Sequence, residues 1–317
     1  MQNAGLATEE AICKGEIGDD AVVRIINDQI ALVENVDVFT PIHDDPHTQG
    51  EIIACNATND VFAMGATGIL SLQAFMGYPK GMDEEIVVGV LKGMNDFMMQ
   101  FGSRVAGGQT ITNPIPVFGG ICLGIAHPED IVYSRGAHPT DAILLTKPLG
   151  IQPAMRSYRD LQDDKRDALL ESFDETELRA VQDTAVRVMT HSNRVVALAM
   201  KRVGVNAATD VTGFGLIGHA DNVATQSGVD IVIEEVPVIK GTLELAKFFG
   251  HKLEQGHAAE TAGGMLVFLQ PDKVEGFQEV MKQHDLPCWP IGRTEKSRAT
   301  PEARLAEGVK FIEAEFP

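Results

Sequence analysis

Aspartates that adjoin strand-like or glycine-containing stretches are the residues of this sequence best suited to metal chemistry. They occur in EIGDDAVV, VENVDVFTP, CNATNDVFAMG and AATDVTGFG, and they are Asp19, Asp20, Asp37, Asp60 and Asp210. Burying a carboxylate is costly unless a partner compensates its charge, and a hard divalent cation such as Mg²⁺ does so because it prefers carboxylate oxygens. Each aspartate alone could instead cap a helix or close a turn. Taken together, the four stretches favour a site that binds metal and phosphate.

A glycine-rich stretch, GFGLIG, begins at Gly213 and matches the G-x-G-x-x-G pattern of dinucleotide-binding turns. Such a turn needs a hydrophobic strand that runs into the first glycine and an acidic residue about 20 positions later. Glu234 and Glu235 suit the second requirement, but the preceding VGVNAATDVT is short and polar, and Asp210 would repel a bare pyrophosphate. An NAD-dependent oxidoreductase is therefore the less favoured hypothesis. His219, which follows the glycines, is expected to pack or cap rather than to act as a base.

The overall charge is strongly acidic, because 26 Lys and Arg stand against 45 Asp and Glu in 317 residues, a net charge of −19. Such a surface repels nucleic acid and anionic membranes, which bind basic patches. It suits a polyphosphate substrate when divalent cations separate phosphate from carboxylate. An apolar run of about 20 residues and a signal-peptide pattern are both missing from the sequence, and the four cysteines are widely spaced. We therefore expect a cytoplasmic protein without nucleic-acid or membrane partners.

Hydrophobic patterning predicts a mixture of helices and strands. The predicted strands include 20–27, 29–39, 69–78, 141–146, 230–236, 265–269 and 289–295, and the predicted helices include 50–64, 83–101, 216–228, 242–253 and 272–284. Residues 160–203 are charged and helical, with two helices broken near residues 172–174. Turn chemistry in GAHPTD divides the chain near residue 138. We therefore predict two domains of α+β layers, 1–137 and 138–317.

Four stretches of the chain are similar, in the same order, to motifs of the selenophosphate synthetases (selenide, water dikinases) of the AIR synthetase (PurM-like) superfamily. The family's most diagnostic segment resembles ATDVTGFGLIGHA. A second signature, in which a polar loop leads into a helix with N-A-x-x-D, resembles DVFTPIHDDPHTQGEIIACNATNDVFAMG. The family's glycine pair resembles VAGGQTITNP, and its inter-domain strand resembles LLTKPLG. The resemblance extends from about residue 18 to the C-terminus.

The resemblance implies a fold, a reaction and an assembly. The fold is that of aminoimidazole ribonucleotide synthetase, with two α/β domains per subunit. The N-terminal domains pair into a β-barrel across a homodimer. The reaction converts ATP, selenide and water into selenophosphate, AMP and phosphate. Proteins that deliver selenium or synthesise selenocysteine are the further partners that the resemblance suggests.

The resemblance also implies the residues that bind ATP and Mg²⁺. The implied magnesium ligands are Asp20, Asp60 and Asp210. The implied ATP contacts are Gly18, Asp19, Asp37, Asp60, Gly108, Gln109 and Thr110, the last three from the other subunit. Because ATP carries several negative charges, aspartates approach its phosphates only with Mg²⁺ between them.

The sequence departs from the family pattern at three places. The family carries a reactive Cys or selenocysteine and a following Lys on a glycine-rich arm, well before the position of Asp20. Cys13 and Lys14 lie too close to Asp20 and lack that context, so we assign no catalytic residue and expect a truncated core with impaired activity. Gln109 stands where many bacterial members carry His. AAETAGG differs from the family's D-P-Q-T-S-G-G or P-E-T-S-G-G.

Other functions stay open on the residues alone. A thiamine-monophosphate kinase, which GDDAVV alone would suit, and a hydrogenase-maturation dehydratase are alternatives within the same superfamily. The long match between Asp37 and Asp60, together with ATDVTGFG, argues against these two. A non-catalytic binding subunit is the remaining alternative, because the catalytic arm is not recognised.

Overall fold

The computed structural model describes residues 19–317, which form two compact units. The first unit contains the chain up to Ser134 together with Ser192–Arg202. The second contains Arg135–His191 and Val203–Pro317. Three residues considered above lie outside the described residues, namely Cys13, Lys14 and Gly18. The division of the chain into folding domains 1–137 and 138–317 stays a prediction.

The first unit contains a five-stranded sheet. Its strands are β1 (Val22–Asn27), β2 (Ile30–Phe39), β3 (Gly68–Tyr78), β4 (Val105–Thr112) and β5 (Val117–Ala126). They lie in the order β1-β2-β5-β3-β4, and only the β3–β4 pair is parallel. The strands predicted at 29–39 and 69–78 are confirmed. β1 and β4 are edges, so the described residues of this unit form an open mixed sheet and no closed barrel.

Two helices cover one face of this sheet, α1 (Pro46–Ala63) and α2 (Glu84–Met99). α1 begins where Asp45 accepts a hydrogen bond from the backbone N–H of Thr48 at 2.8 Å, with Pro46 in the first turn. We predicted a start at residue 50, because the polar residues of DDPHTQ hide this capping signal. A short 3₁₀ helix, Pro128–Asp130, follows β5.

Glycines of β5 allow α1 to pack closely on the sheet. A Cβ atom at Gly120 would lie 3.2 Å from the Cβ of Ala57, and one at Gly124 would lie 2.3 Å from a methyl carbon of Val61. Ala57 and Val61 are one turn apart on the same face of α1. Larger residues at these two glycines would therefore push the helix away from the sheet.

A second pair of glycines lets α1 and α2 approach each other. A Cβ atom at Gly50 of α1 would lie 2.1 Å from the carbonyl oxygen of Val90. One at Gly93 of α2 would lie 1.9 Å from the carbonyl oxygen of His47. Both obstacles are backbone atoms, which cannot move aside as a side chain can. The orientation of α1 over the sheet thus depends on the absence of side chains at Gly50 and Gly93.

The second unit contains a six-stranded sheet. Its strands are β6 (Ala142–Leu145), β7 (Ala207–Asp210), β8 (Val229–Ile239), β9 (Met265–Leu269), β10 (Trp289–Lys296) and β11 (Ala303–Ala314). They lie in the order β11-β8-β10-β6-β9-β7, and only the β11–β8 pair is parallel. Buried aliphatic and aromatic side chains, among them Leu145, Ile231 and Phe268, form its core. The two mixed sheets establish the two-unit α+β fold.

Helices of the chain after β6 are more numerous than predicted. They are α3 (Ile151–Asp160), α4 (Arg166–Leu170), α5 (Glu175–Thr190), α6 (Arg194–Val203), α7 (Gly215–Ser227), α8 (Thr242–Phe249) and α9 (Val274–Lys282), with a 3₁₀ helix at Pro271–Lys273. The predicted break near residue 173 is confirmed, because Asp174 caps α5 by accepting bonds from Thr176 and Glu177. The break between α5 and α6 was not predicted. Among the described residues, none of the helices is both long and apolar enough to cross a bilayer.

Replacing Gly93 by alanine tests the close approach of α1 and α2. The new methyl group would overlap the carbonyl oxygen of His47, so we expect a loss of about 2 kcal/mol in the free energy of unfolding, measured by urea denaturation. Gly276→Ala is the matched control, because a Cβ atom at this glycine of α9 would have no atom within 4 Å apart from its chain neighbours and the backbone of its own helix. The free energy of unfolding of the control should rise by up to about 1 kcal/mol, because alanine favours a helix more than glycine does. Equal effects of the two substitutions would contradict the packing argument.

Candidate functional site

Asp19 and Asp20 lie in the turn that precedes β1 in the first unit. The Oδ1 atom of Asp19 accepts hydrogen bonds from the backbone N–H of Ser134 at 2.9 Å and from that of Asp20 at 3.2 Å. These bonds fix the turn and with it the position of Asp20. Asp19 therefore has a structural role of its own, and its contact with ATP stays a prediction.

Asp37 lies on β2 among amide side chains. Its Oδ2 atom accepts hydrogen bonds from the Nδ2 atoms of Asn56 at 3.0 Å and Asn35 at 3.2 Å. Burial raises the pKa of Asp37 above its ordinary value, and hydrogen bonds with Asn35 and Asp60 oppose the rise. The carboxyl groups of Asp37 and Asp60 are close enough for a hydrogen bond. Because like charges repel, such a pair favours a shared proton or a bound cation. Asn56 and Asp60 share one face of α1, so the helix presents both to β2.

Asp20 and Asp60 form the part of the predicted metal site that lies in the first unit. One carboxylate oxygen of each lies within 4.8 Å of the other. Two hard oxygen ligands at this separation can bind the same divalent cation, as Mg²⁺ commonly uses one or two carboxylates and completes its shell with water and phosphate. The donor set in this unit therefore fits Mg²⁺.

Buried neutral groups surround Asp60 on α1. The buried Cys122 of β5 keeps its proton, because burial and the charge of Asp60 raise the pKa of its thiol to about 12. Cys122 is therefore excluded as a thiolate nucleophile. The amide of the fully buried Asn59 accepts a hydrogen bond from Asn193 at 2.9 Å. This bond attaches the segment Ser192–Arg202 to α1 beside Asp60.

Gly108, Gln109 and Thr110 lie on the exposed edge strand β4. β5 and β3 stand between β4 and β2, which separates these residues from Asp37 by roughly 14 Å within one subunit. Gly108 has a φ of 156°, and a Cβ atom there would lie 2.0 Å from the carbonyl oxygen of Ala74. Only glycine therefore fits at this position. The first unit by itself does not bring β4 to the aspartates, and a contribution to the nucleotide from these residues stays a prediction.

Asp210 ends β7 in the second unit and is 2% exposed. It pairs with Met265 of β9, and the next residue, Val211, donates its N–H to the carbonyl of Gly264 at 2.9 Å. A Cβ atom at Gly263 would lie 2.0 Å from the carbonyl oxygen of Val211. The stretch AGG that follows Glu260 is thus shaped to lie directly against the residues after Asp210.

His219 of α7 holds the turn after Asp210 and is not a base. Its Nε2 atom accepts a hydrogen bond from the backbone N–H of Thr212 at 3.1 Å. Burial lowers the pKa of His219 to about 4, so the imidazole is neutral at pH 7 and can accept this bond. The prediction that His219 packs or caps is confirmed.

The Rossmann arrangement is not present around GFGLIG. β7 is an edge strand of four residues and is antiparallel to its neighbour β9. β8, the strand that follows α7, lies further across the sheet, beyond β9, β6 and β10. A dinucleotide-binding unit instead needs two parallel strands joined by the helix. The structure therefore does not support the NAD-binding hypothesis.

Two buried ionisable residues of the second unit were missed by the sequence analysis. The ammonium group of Lys147 donates to the carbonyl oxygens of His191 at 2.6 Å, Ala262 at 2.8 Å and Val188 at 2.9 Å. Burial raises the pKa of Glu260 to about 8, and two backbone N–H groups oppose the rise. Two features of the sequence could have identified them. Lys147 lies inside the apolar stretch LLTKPLG, and Glu260 precedes a glycine pair.

Comparisons with known proteins cover nearly the whole chain. The family described as AIR synthase related protein, N-terminal domain, matches residues 18–126, and its C-terminal domain matches residues 139–301. The selenide, water dikinase of Methanococcus maripaludis is 37% identical over 98% of this chain and 93% of its own length. The expectation of a truncated chain finds no support in this match.

Solved structures share the fold at lower sequence identity. A structure described as AaThiL complexed with AMPPCP and TMP has a TM-score of 0.74 at 18% identity, covering 97% of this chain and 93% of that one. The hydrogenase maturation protein HypE in complex with ATP has a TM-score of 0.69 at 19% identity, covering 95% and 90%. These likenesses establish the fold of the chain.

Replacing His219 by glutamine tests its neutral state. The folded protein binds a proton at His219 only near pH 4, whereas the unfolded chain binds it near pH 6.5. Stability from this residue is therefore complete above pH 6.5 and is lost as the pH falls toward 4, by on the order of 3 kcal/mol. The glutamine amide can still accept from Thr212 but does not titrate. Urea unfolding across this pH range should show a shallower decline for His219→Gln, and an unchanged decline would contradict the assignment.

Proposed function

The chain belongs to the selenide, water dikinase family, and from this membership we propose that it makes selenophosphate from ATP and selenide, with AMP and phosphate as the other products. Two phosphoanhydride bonds of ATP break in this reaction. One phosphoryl group is transferred to selenium and the other to water, so atoms balance without a further reactant. Selenide itself, or a protein that delivers selenium, supplies the acceptor.

The carboxylates beside β2 are the observation that carries this proposal. Asp37 and Asp60 are close enough for a hydrogen bond, and an oxygen of Asp20 lies within 4.8 Å of one of Asp60. A protein of net charge −19 can bind the polyphosphate of ATP at such a place only when cations offset the repulsion. The arrangement is therefore expected in an enzyme that handles magnesium-bound nucleotide.

We assign Asp20, Asp60 and Asp210 as magnesium ligands. Bound Mg²⁺ would neutralise charge on the phosphates and on the leaving groups. Asp20 is oriented by its turn, and Asp60 by its place on α1. The assignment of Asp210 rests on its burial at the end of β7 and on its match to the family motif. The amides of Asn35 and Asn56 orient Asp37 by hydrogen bonds.

The nucleotide contacts follow the family assignment. They are Gly18, Asp19, Asp37, Asp60, Gly108, Gln109 and Thr110. The last three lie on an exposed edge strand that pairs with β3 on one side only, so its other side can face a nucleotide held by a neighbouring subunit. We therefore assign Gly108–Thr110 to the nucleotide site of the partner in a homodimer.

An exposed apolar face supports the homodimer. The face of the first sheet opposite α1 carries large aliphatic side chains that are well exposed, namely Val36 at 60%, Leu70 at 48%, Val22 at 45%, Ile111 at 42% and Val38 at 41%. A patch of this kind on one sheet face is typical of a protein interface. Two copies that join these faces would cover both patches, and we propose that they form the barrel characteristic of the family.

A thiamine-monophosphate kinase is the second candidate. Its support is the fold likeness to AaThiL at 18% identity, which does not extend to the substrate. One assay separates the candidates: the purified protein is incubated anaerobically with ATP and MgCl₂, and either selenide or thiamine monophosphate is added. AMP formation that depends on selenide supports the proposal. Phosphorylation of thiamine monophosphate without a response to selenide overturns it.

Asp210→Asn is the variant that tests the metal assignment. Loss of one carboxylate ligand should abolish magnesium-dependent ATP binding, measured by calorimetry with and without MgCl₂, while the circular dichroism spectrum stays native. If Asp210 only caps a turn, binding survives and the free energy of unfolding falls by about 1 kcal/mol. The matched control is Asp164→Asn, an exposed aspartate of the same unit, which should leave both properties unchanged.

Val36→Lys tests the dimer face. The charged side chain costs little in a monomer, where Val36 is 60% exposed, but it cannot be buried between two sheets without a partner. Light scattering should report a dimer for the wild type and a monomer for Val36→Lys. Val88→Lys on α2, where the valine is 40% exposed, should stay dimeric. A wild-type mass that corresponds to one chain would contradict the proposed assembly.

A further inference from the structure

The two residues that follow Asp210 are bonded to a single short segment, Glu260–Gly264. Val211 donates its N–H to the carbonyl of Gly264 at 2.9 Å, and the carbonyl of Thr212 accepts from the N–H of Glu260 at 3.0 Å. Thr212 is also held through its own N–H, which donates to His219. The orientation of the chain just after Asp210 is therefore set by where this segment lies.

The carboxylate of Glu260 attaches the segment to the start of α3. Its Oε1 atom accepts from the N–H of Gly150 and its Oε2 atom from that of Ile151, both at 2.9 Å. Gly150 has a φ of 119° and offers no side chain that could cap the helix. Glu260 supplies the acceptors that these first N–H groups need. Above pH 8, where its carboxyl group is ionised, the positive end of the helix also favours its negative charge.

Lys147 attaches the same segment from a second side. Its ammonium group donates to the carbonyl of Ala262 at 2.8 Å, and it also binds the carbonyl groups of Val188 and His191. Ala262 has a φ of 48°, a left-handed conformation that is strained for alanine and persists only where neighbours hold it. Glu260 and Lys147 thus hold the two halves of Glu260–Gly264 independently.

We propose that Glu260 is a positioning residue for magnesium binding, which acts by fixing Glu260–Gly264 and through it the carboxylate of Asp210. This inference rests on the proposed role of Asp210 as a magnesium ligand. Residues that orient a ligand typically change metal affinity 10–100-fold when they are replaced. A cap that served α3 alone would change stability and leave the affinity for Mg²⁺ as it is.

Glu260→Gln tests this inference, because the amide of Gln puts a nitrogen donor against one of the two N–H groups. ATP retained by the protein is measured by equilibrium dialysis over a MgCl₂ series above pH 8, the value to which the pKa of Glu260 is raised. We expect the MgCl₂ concentration at half-saturation to rise at least about tenfold, with full binding restored at high MgCl₂. Glu260→Asp, which is one methylene shorter, is measured in the same way if the Gln variant does not fold.

Asp141→Asn is the matched control for a purely structural effect. Asp141 is also 2% exposed and accepts bonds from the N–H of His138 and the amide of Asn206. Asn206 precedes β7, so this carboxylate acts at the end of the strand opposite to Asp210. The control should lower the melting temperature without moving the half-saturation point.

Parallel dialysis of Asp210→Asn separates failure of this inference from failure of the proposed function. If Asp210→Asn loses magnesium-dependent binding and Glu260→Gln matches the wild type, the positioning role is overturned and the metal site stands. If Asp210→Asn binds normally, the proposed ligand is wrong and Glu260 has no ligand to position. The inference is also overturned if Glu260→Gln and Asp141→Asn change the MgCl₂ concentration at half-saturation by the same factor.

Discussion

Repulsion among desolvated carboxylates is the constraint on which the rest of this structure depends. Asp37 is half-buried and close to Asp60, and Asp20 approaches Asp60 within reach of one cation. The two asparagines beside Asp37 offset part of the cost through their hydrogen bonds. The repulsion that remains can be offset by a divalent cation, which in turn can bind phosphate. An acidic protein thereby becomes suited to an even more highly charged substrate.

Holding these charges together requires backbones at short range. Gly120 and Gly124 bring α1 onto the sheet, and Gly50 and Gly93 bring α2 onto α1. Because α1 carries Asn56 and Asp60, the spacing of helix and sheet also sets the distance from Asp60 to Asp37. In the second unit, Gly263 serves the same purpose beside Val211. The glycines of this chain therefore determine the geometry of its carboxylates more than they provide flexibility.

Local sequence signals predicted much of this arrangement. The strands at 29–39 and 69–78 and the capping role of His219 could be predicted because each depends on near neighbours in the chain. The grouping of Asp20 with Asp60 joins distant parts of the chain, and only the family resemblance implied it. The contacts of Gly50 with Val90 and of Gly93 with His47 could not be predicted, since they require knowledge of which helices pair. Lys147 and Glu260 were missed for a related reason. Their partners are carbonyl and N–H groups, which every sequence contains and no residue type reveals.

Membership of Ser192–Arg202 in the first unit has a consequence for the order in which the chain folds. Asn59 is fully buried against Asn193, a residue that follows it by more than a hundred positions. During synthesis, the first sheet and α1 emerge long before α6, so Asn59 and Asn193 can pair only after Arg135–His191 of the second unit has also been made. Non-local pairings of this kind slow folding and favour populated, partly folded intermediates. The first unit is therefore completed only after a segment that follows Arg135–His191 of the second unit has been synthesised.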